Sequence, residues 1–280
     1  MGLEVAAVVS PRNRPDITDA PDARWFTSLD EVLADPTITI VSVCTPTPSH
    51  AEIAIAALRA GKNVLLEKPI ALTVEDALAV ADAARHARGV LMVAHVVRFY
   101  ADYAALAERV VADAVGGVRI VHATRLGSGP RSTAWLEDEE QSGGIVVDFA
   151  IHDFDQANLL LGTPLAVRSL RARGAGSGAP IDTTVEYANG GIAHILSVAD
   201  LPQGFPFHTS LDIVGERGTD ALHGDSGDAF LAQARYFLDC VEAGVAPLRC
   251  PTDAAIDALR VALAARESLR TSSRVVLAAG

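Results

Sequence analysis

The chain has 280 residues, of which 50% are hydrophobic, and its 23 Lys plus Arg against 35 Asp plus Glu give a net charge of −12. This apolar content excludes an intrinsically disordered chain, and the length is sufficient for two domains. An acidic balance without a run of basic residues argues against nucleic acid or a membrane surface as the partner, because both need a positive surface. The expected partner is a small molecule.

The cysteine content and the hydropathy pattern indicate a cellular compartment. Cys44, Cys240 and Cys250 are too few and too scattered for a disulfide framework. No stretch reaches the roughly 18 apolar residues that a membrane-spanning helix needs. Together these observations predict a protein of the reducing cytoplasm.

The first hundred residues alternate between short apolar runs and helical patterns. The predicted strands are 3–9, 38–44, 63–67 and 90–95. Ser28 and Ser49 each open an S-x-x-E capping box, and Thr73 with Asp76 marks a third helix start. The predicted helices end before Pro36, at Gly61 and near Gly89. Strands that alternate with helices indicate βαβ crossovers, so residues 1–98 are predicted to form a doubly wound, parallel α/β domain.

The pattern changes after Arg98. The predicted helices are 100–115, 143–162, 226–243 and 253–270, and the predicted strands are 118–126, 181–187, 192–199, 207–214 and 274–276. Asn189-Gly190 is the strongest hairpin signal in the chain. We therefore predict an α+β domain over residues 99–280 with a large, mostly antiparallel sheet. One sheet face would pack on helices and the other would be free for a partner subunit, which predicts a homodimer or homotetramer.

Polar residues follow the second and third predicted strands, at the edge where a parallel α/β sheet binds its ligands. Thr45, Pro46 and His50 come after the second strand, and Glu67 and Lys68 come after the third. Pro69 directs Lys68 into an extended conformation, which would point its ammonium group off the strand end. The Lys68–Pro69 bond is also a candidate cis peptide. A surface lysine at a turn is the alternative.

A second group of chemistry-bearing residues lies on the helix predicted over 143–162. Asp148, His152 and Asp155 are spaced four and three residues apart, which places them on one helical face. A carboxylate one turn from an imidazole can orient it and raise its basicity, as a general base needs. An ion pair on the helix surface and a metal site are the alternatives. His95 and His194 are expected to pack within strands.

Four motifs in order resemble the Gfo/Idh/MocA family, which comprises glucose-fructose oxidoreductases, inositol dehydrogenases and rhizopine-catabolism oxidoreductases. They are T-P-x-x-x-H at 45–50, G-K-x-V-x-x-E-K-P at 61–69, H-x-x-R-F at 95–99 and S-G-G-x-x-x-D-x-x-x-H-D-x-D at 142–155. The stretch 213–218 and the last helix and strand also fit. The similarity therefore covers nearly the whole chain.

The resemblance implies a nicotinamide-dependent oxidoreductase that acts on a sugar, nucleotide sugar or inositol. It implies Lys68 as the catalytic lysine, His152 as the acid/base and Asp148 as the substrate-orienting partner. The implied cofactor contacts are Thr45, Pro46, His50, Glu67, Lys68 and Arg98, and the implied substrate contacts are Lys68, Arg98, Asp148 and His152. A base at His152 and a cation at Lys68 would serve alcohol oxidation without a metal. The loop 128–141, which carries Trp135, is expected to border the substrate pocket.

The chain departs from the family pattern at its first residues. Residues 3–10 match the second strand of a dinucleotide-binding domain, so the first strand, the G-x-G-x-x-G turn and the first helix are expected to be missing. We therefore expect an incomplete doubly wound, Rossmann-like sheet and weak or absent cofactor binding by this form of the chain. Ser10 and Arg12 stand where an acidic residue would accept from a ribose 2′-hydroxyl, which favours NADP over NAD.

Two other functions remain open at this point. A non-catalytic or cofactor-deficient homologue could act as a binding or scaffold protein with the same fold. A family member could also use bound cofactor for elimination or glycoside cleavage without net reduction.

Overall fold

The structure, a computed structural model, describes residues 4–10, 18, 20–128, 138–173, 178–223 and 228–278. Its first half contains β1 (Ala7–Val9), β2 (Arg24–Phe26), α1 (Leu29–Ala34), β3 (Ile40–Val43), α2 (His50–Arg59), β4 (Asn63–Glu67), α3 (Val74–His86) and β5 (Leu91–Ala94). Two 3-10 turns, Thr47–Ser49 and Val96–Phe99, follow β3 and β5.

The strands of the first half are all parallel, but they form two sheets rather than the single sheet expected. β3, β4 and β5 make one sheet in that order, and β1 pairs with β2 in a second sheet. The sequence did not predict β2, and β1 covers only the last three residues of the predicted run. The parallel, doubly wound character is confirmed, and the sheet is incomplete in the sense that its two parts do not pair.

Helix starts in this half follow the sequence signals, with one exception. Ser28 and Thr73 accept hydrogen bonds from the backbone N–H groups of Asp30 and Asp76. Ser49 does not cap α2 with its side chain, because its hydroxyl donates to Thr45 Oγ1 and the Pro46 carbonyl instead. The predicted second capping box is therefore wrong, and the 3-10 turn takes its place.

The second half is larger and contains one seven-stranded sheet. Its elements are α4 (Ala101–Val111), β6 (Val118–Leu126), α5 (Glu139–Ser142), α6 (Gly144–Asp148), α7 (Ile151–Leu161), β7 (Pro164–Arg171), β8 (Ile181–Tyr187), β9 (Ile192–Val198), β10 (His208–Gly215), β11 (Thr219–His223), α8 (Ala229–Ala243), α9 (Thr252–Thr271) and β12 (Val275–Val276). The strand order is β11-β10-β6-β9-β8-β7-β12.

Five of the six strand pairings in this sheet are antiparallel, and only β6 with β9 is parallel. The predicted Asn189-Gly190 hairpin joins β8 to β9, and Gly190 has a φ of +83° that favours glycine. The α+β second half with a mostly antiparallel sheet is therefore confirmed. In the described ranges, no helix is long and apolar enough to cross a membrane.

The single helix predicted over 143–162 is wrong, because the chain forms two helices there. The N–H of Ala150 donates to the carbonyl of Ile145, five residues back, so the regular four-residue spacing is lost. A new helix then begins at Ile151. This break turns Asp148 and His152 onto different helices.

The hydrophobic core joins the two halves through α9. Its buried face, which includes Ala258, Leu259 and Ala262, packs against β7, α7, α6 and α3. Small side chains on this face let the helix approach its neighbours closely, and the burial of apolar area stabilises the arrangement. α9 thus packs against elements of both halves, and the place where Lys68 of the first half meets Asp148 of the second half is the crevice.

Candidate functional site

The carboxyl ends of β3, β4 and β5 meet at one edge of the first-half sheet. Val43 pairs with Leu66, and Glu67 pairs with Ala94. The segments that follow these strands therefore lie side by side, as the sequence predicts. They carry the predicted residues of the 45–50 and 67–69 motifs.

Lys68 reaches across the crevice to the second half of the chain. Its Nζ donates to Asp148 Oδ1 at 2.8 Å and to the Asp148 backbone carbonyl at 2.7 Å. The two side chains remain 18% and 29% exposed, so the pair is open to a ligand. The Lys68–Pro69 peptide is cis, as suggested from the sequence. The expectation that Asp148 orients His152 is wrong, because the helix break directs this carboxylate to Lys68.

His152 is the second residue of α7. Its Nδ1 is buried and has no hydrogen-bond partner among the described residues. Burial, reinforced by the positive charges of Arg125 and Lys68, holds the pKa of His152 well below its usual range. The imidazole is therefore neutral at pH 7 and able to accept a proton.

Asp155 does not contact His152 either, although the sequence placed them on one face. Its two carboxylate oxygens each accept from Arg98, at 2.7 Å from Nε and 2.7 Å from Nη2. Burial opposes ionisation of Asp155, but His95 and Arg98 together lower its pKa. His95 Nδ1 lies 3.7 Å from Asp155 Oδ2. His95 follows β5 rather than lying within it, which corrects that prediction. His194 lies within β9, as expected.

Arg98 is buried, and its guanidinium is engaged by the protein. Besides Asp155, it donates from Nη1 to the carbonyl of Arg249 at 2.8 Å. Arg249 in turn donates from Nε and Nη2 to the carbonyl of Arg98, and its guanidinium lies 4.5 Å above the centroid of the Phe99 ring. Arg98 thus ties the segment after β5 to α7 and to the loop before α9, behind the crevice.

His50 lies beneath the two motif loops rather than in the open crevice. Its Nδ1 is 2.8 Å from the carbonyl of Pro69, and its Nε2 is 2.8 Å from the carbonyl of Thr45. A neutral imidazole carries one N–H, so it donates to one of these two carbonyls, and the ring lies between the two loops. Burial lowers the pKa of His50.

Glu67 sits at the strand end beside Lys68. The Lys68 backbone N–H donates to Glu67 Oε2 at 3.2 Å. Burial raises the pKa of Glu67, while the nearby Lys68 charge opposes that rise. The Glu67 carboxylate therefore interacts electrostatically with both Lys68 and Asp148.

The remaining predicted site residues lie elsewhere or outside the described ranges. Ser10 directly follows β1, and its N–H donates to the carbonyl of Phe26 at 3.0 Å. Arg12 and Trp135 fall outside the described residues, so the structure adds nothing about them.

Sequence reasoning missed a buried ion pair next to His152. Arg125 on β6 donates from Nε and Nη2 to the two carboxylate oxygens of Asp153, at 2.8 and 2.9 Å. Val121, Ala123 and Arg125 share the buried parity of β6. Alternate residues of this strand face the apolar interior, and a charged residue at one of these positions is the signal that could have marked Arg125.

Comparisons with known proteins match both halves of the chain. A family model described as "Oxidoreductase family, NAD-binding Rossmann fold" matches residues 1–95, and the "GFO/IDH/MocA C-terminal domain" model matches residues 103–220. A 1,5-anhydro-D-fructose reductase of Ensifer adhaerens is 36% identical over 63% of this chain. The matched region spans 55% of that protein, just over half of its length.

Two further relatives match over longer regions. A scyllo-inositol 2-dehydrogenase (NAD(+)) of Bacillus subtilis is 26% identical over 91% of this chain and 82% of that protein. The crystal structure of a putative myo-inositol dehydrogenase from Sinorhizobium meliloti superimposes with a TM-score of 0.84, at 25% identity, over 98% of this chain and 92% of that one. The four motifs, the fold and these matches agree, and the chain belongs to the Gfo/Idh/MocA family of oxidoreductases.

Proposed function

We propose that this crevice transfers a hydride between a nicotinamide cofactor and a carbon that bears a hydroxyl or keto group in a sugar, nucleotide sugar or inositol. The observation that carries the proposal is the convergence of Lys68 and His152 on one crevice from the two halves of the chain. The Lys68 charge is close enough to contribute to the lowered pKa of His152. A cation and a neutral imidazole side by side are what removal of a hydroxyl proton needs.

The residues present fit the nicotinamide end of such a cofactor. Thr45 and Lys68 offer polar groups at the strand-end edge, and within the described part of the chain Nδ1 of His152 is buried without a hydrogen-bond partner. The sequence contains no G-x-G-x-x-G turn that would hold the pyrophosphate. A nicotinamide ring bound at this edge supplies the hydride acceptor or donor.

The chain's own residues then account for the proton and the charge. Lys68 donates a hydrogen bond to the substrate oxygen and stabilises the negative charge that develops there. Asp148 fixes the position of the Lys68 ammonium through its carboxylate and carbonyl. His152 accepts the hydroxyl proton during oxidation and returns it during reduction. His50 and Arg98 contribute indirectly, because they hold in place the segments that carry these groups.

NADP is the proposed cofactor in preference to NAD. The support is in the sequence: Ser10 and Arg12, which follow the first predicted strand, offer a hydroxyl and a guanidinium that suit a ribose 2′-phosphate. A kcat/KM for NAD well above that for NADP would contradict this preference.

The deciding experiment measures cofactor reduction with a panel of sugars and inositols, in wild type and in the Lys68→Met and His152→Asn variants. Turnover by wild type that is lost in both variants supports the proposal. Arg109→Met, which changes an exposed ion pair on α4, serves as the matched control. Polyol binding by calorimetry without any turnover, at a concentration of cofactor that the same titration shows to be bound, would instead support a non-catalytic, binding homologue.

The same proposal extends to organisation and location. We place the boundary between a cofactor domain and a substrate domain at residue 98. The outer face of the large sheet exposes Ile192, Leu196 and Val214, which supports a homodimer or homotetramer through that face. A monomer by light scattering would contradict the assembly. The three free cysteines support a cytoplasmic location.

A further inference from the structure

The Arg125–Asp153 pair lies against the proposed active site and has no part in the mechanism so far. Its side chains are 3% and 1% exposed, and two nitrogens of the guanidinium meet two oxygens of the carboxylate. Asp153 directly follows His152 on α7. The pair therefore anchors the turn of helix that carries His152 to β6, an interior strand of the large sheet.

Arg125 also contacts the aromatic side chains next to the crevice. Its guanidinium carbon lies 5.8 Å from the ring centroid of Phe149 and 5.8 Å from that of Phe207. The two rings pack edge to face with centroids 6.3 Å apart. Phe149 belongs to the helix break between Asp148 and His152. Arg125 thus contacts α7, the helix break and the segment just before β10.

A second pair holds α7 from the other side. Asp155 is bound by Arg98, which belongs to the segment after β5. The helix turn that carries His152 is therefore fixed both to the second-half sheet and to the first half of the chain. Because Asp153 and Asp155 are both taken by arginines, neither carboxylate is available to the imidazole.

The charged and titratable groups that face His152 are mostly cations. Arg125 approaches from β6, Lys68 from the strand end after β4 and His95 from the segment after β5, and each lowers the pKa of His152. We propose that Arg125 is a positioning residue for His152: through Asp153 it fixes the imidazole in the crevice, and it presents a cation where an Asp–His pair would present a carboxylate.

This inference rests on the assignment of His152 to proton transfer, but its test needs no turnover. Two-dimensional NMR of the whole chain follows the pH titration of His152, and His152→Asn identifies its resonance. Arg125→Met combined with Asp153→Leu replaces both charges by apolar side chains, so that neither is left buried alone. We expect the midpoint of His152 to rise by about one pH unit towards the ordinary histidine value, because the imidazole is no longer held in its buried position, and burial is the main cause of its lowered pKa.

The matched control combines Arg109→Met with Asp220→Leu, which removes an exposed pair with the same two-nitrogen, two-oxygen contact. The midpoint of His152 stays unchanged in it. Arg125→Lys keeps the charge and loses the planar contact, so the midpoint stays near wild type while the His152 resonance broadens or splits.

An unchanged midpoint in the folded double variant, or the same shift in the control, overturns the proposal. If the double variant does not fold, Arg125→Lys decides, and a single sharp His152 resonance at the wild-type position overturns it. The expected NMR shifts in a protein that oxidises no polyol would refute the proposed function alone. Turnover without these shifts would refute this inference alone.

Discussion

The interior beside α7 and the outer surface carry ion pairs of one geometry in opposite surroundings. In each, two guanidinium nitrogens meet two carboxylate oxygens. The interior pairs are Arg98–Asp155 and Arg125–Asp153, and the surface pairs include Arg109–Asp220 and Arg274–Glu186. Arg125 and Asp153 are almost fully buried, whereas Arg109 and Asp220 are 46% and 21% exposed.

This difference shows that contact geometry alone does not determine what an ion pair contributes. On the surface, water and salt compensate for a lost partner, so the net contribution is small. In the interior, a charge left alone has no water to replace its partner. The interior pairs therefore enforce one arrangement of α7, and Lys68–Asp148, with intermediate exposure, remains accessible for chemistry.

The largest expected effect comes from breaking an interior pair. Asp155→Ala leaves the Arg98 guanidinium buried and unpaired on that side, so the free energy of unfolding should fall by about 3–5 kcal/mol. Urea unfolding followed by circular dichroism measures the change. A loss no greater than that caused by Asp220→Ala would show that burial makes no difference between the two regions.

Removing the partly exposed cation should affect activity more than folding. Lys68→Met removes the ammonium that stabilises the developing oxyanion, so kcat/KM for polyol oxidation should fall about 100- to 1000-fold. Initial rates measure this, and circular dichroism verifies that the variant is folded. Retention of wild-type kcat/KM would place Lys68 among the ion pairs that serve structure alone.

The buried histidines should make stability depend on pH. Burial is the main cause that lowers the pKa of His50, His95 and His152 in the folded chain, below the usual 6.5. The unfolded chain then binds more protons, so stability is full above about pH 6.5 and falls as the pH drops below it. Each such histidine contributes a slope of up to about 1.4 kcal/mol per pH unit.

His95→Phe isolates one of these contributions, because both ring nitrogens of His95 are buried without hydrogen-bond partners among the described residues. Urea unfolding at pH 7, 6 and 5 should show a shallower decline in this variant, by about one proton. A decline as steep as in wild type would mean that His95 is not held neutral by burial.

The smallest effect is expected at the surface. Arg109→Met removes an exposed pair of ideal geometry, so the free energy of unfolding should change by less than about 1 kcal/mol. Added salt should reduce even this difference. If Arg109→Met lowered the free energy of unfolding as much as Asp155→Ala does, the surface pair would contribute as much as the interior pair, which would contradict the comparison.

The sequence predicted the parts of the site that follow from local rules. Lys68 and Thr45 were placed in the crevice because parallel strands bring their carboxyl ends together, and Gly61 ends α2 with a left-handed φ of +76°. The fold class followed from alternating strands and helices and from the Asn189-Gly190 hairpin. These signals span few residues and do not depend on contacts with distant segments of the chain.

The remaining features depend on contacts between distant segments. The break at Phe149 and Ala150 could not be read from a helical spacing that continues through it, so the pairing of Asp148 with Lys68 was missed. Arg125 and Asp153 are 28 residues apart in sequence, and the packing of α7 on β6 decides that they meet. Local patterns give the parity of Arg125 on β6, but they do not give its partner.

The separation of β1 and β2 from the other parallel strands has a consequence for local unfolding. Among the described residues, none before Leu33 joins either hydrophobic cluster of the core, and each of these two strands is three residues long. Hydrogen bonds in such a ribbon can open without disturbing α9 or the large sheet. In native-state hydrogen exchange, the amides of β1 and β2 should therefore exchange by local fluctuations, whereas those of β4 and β6 should require global unfolding.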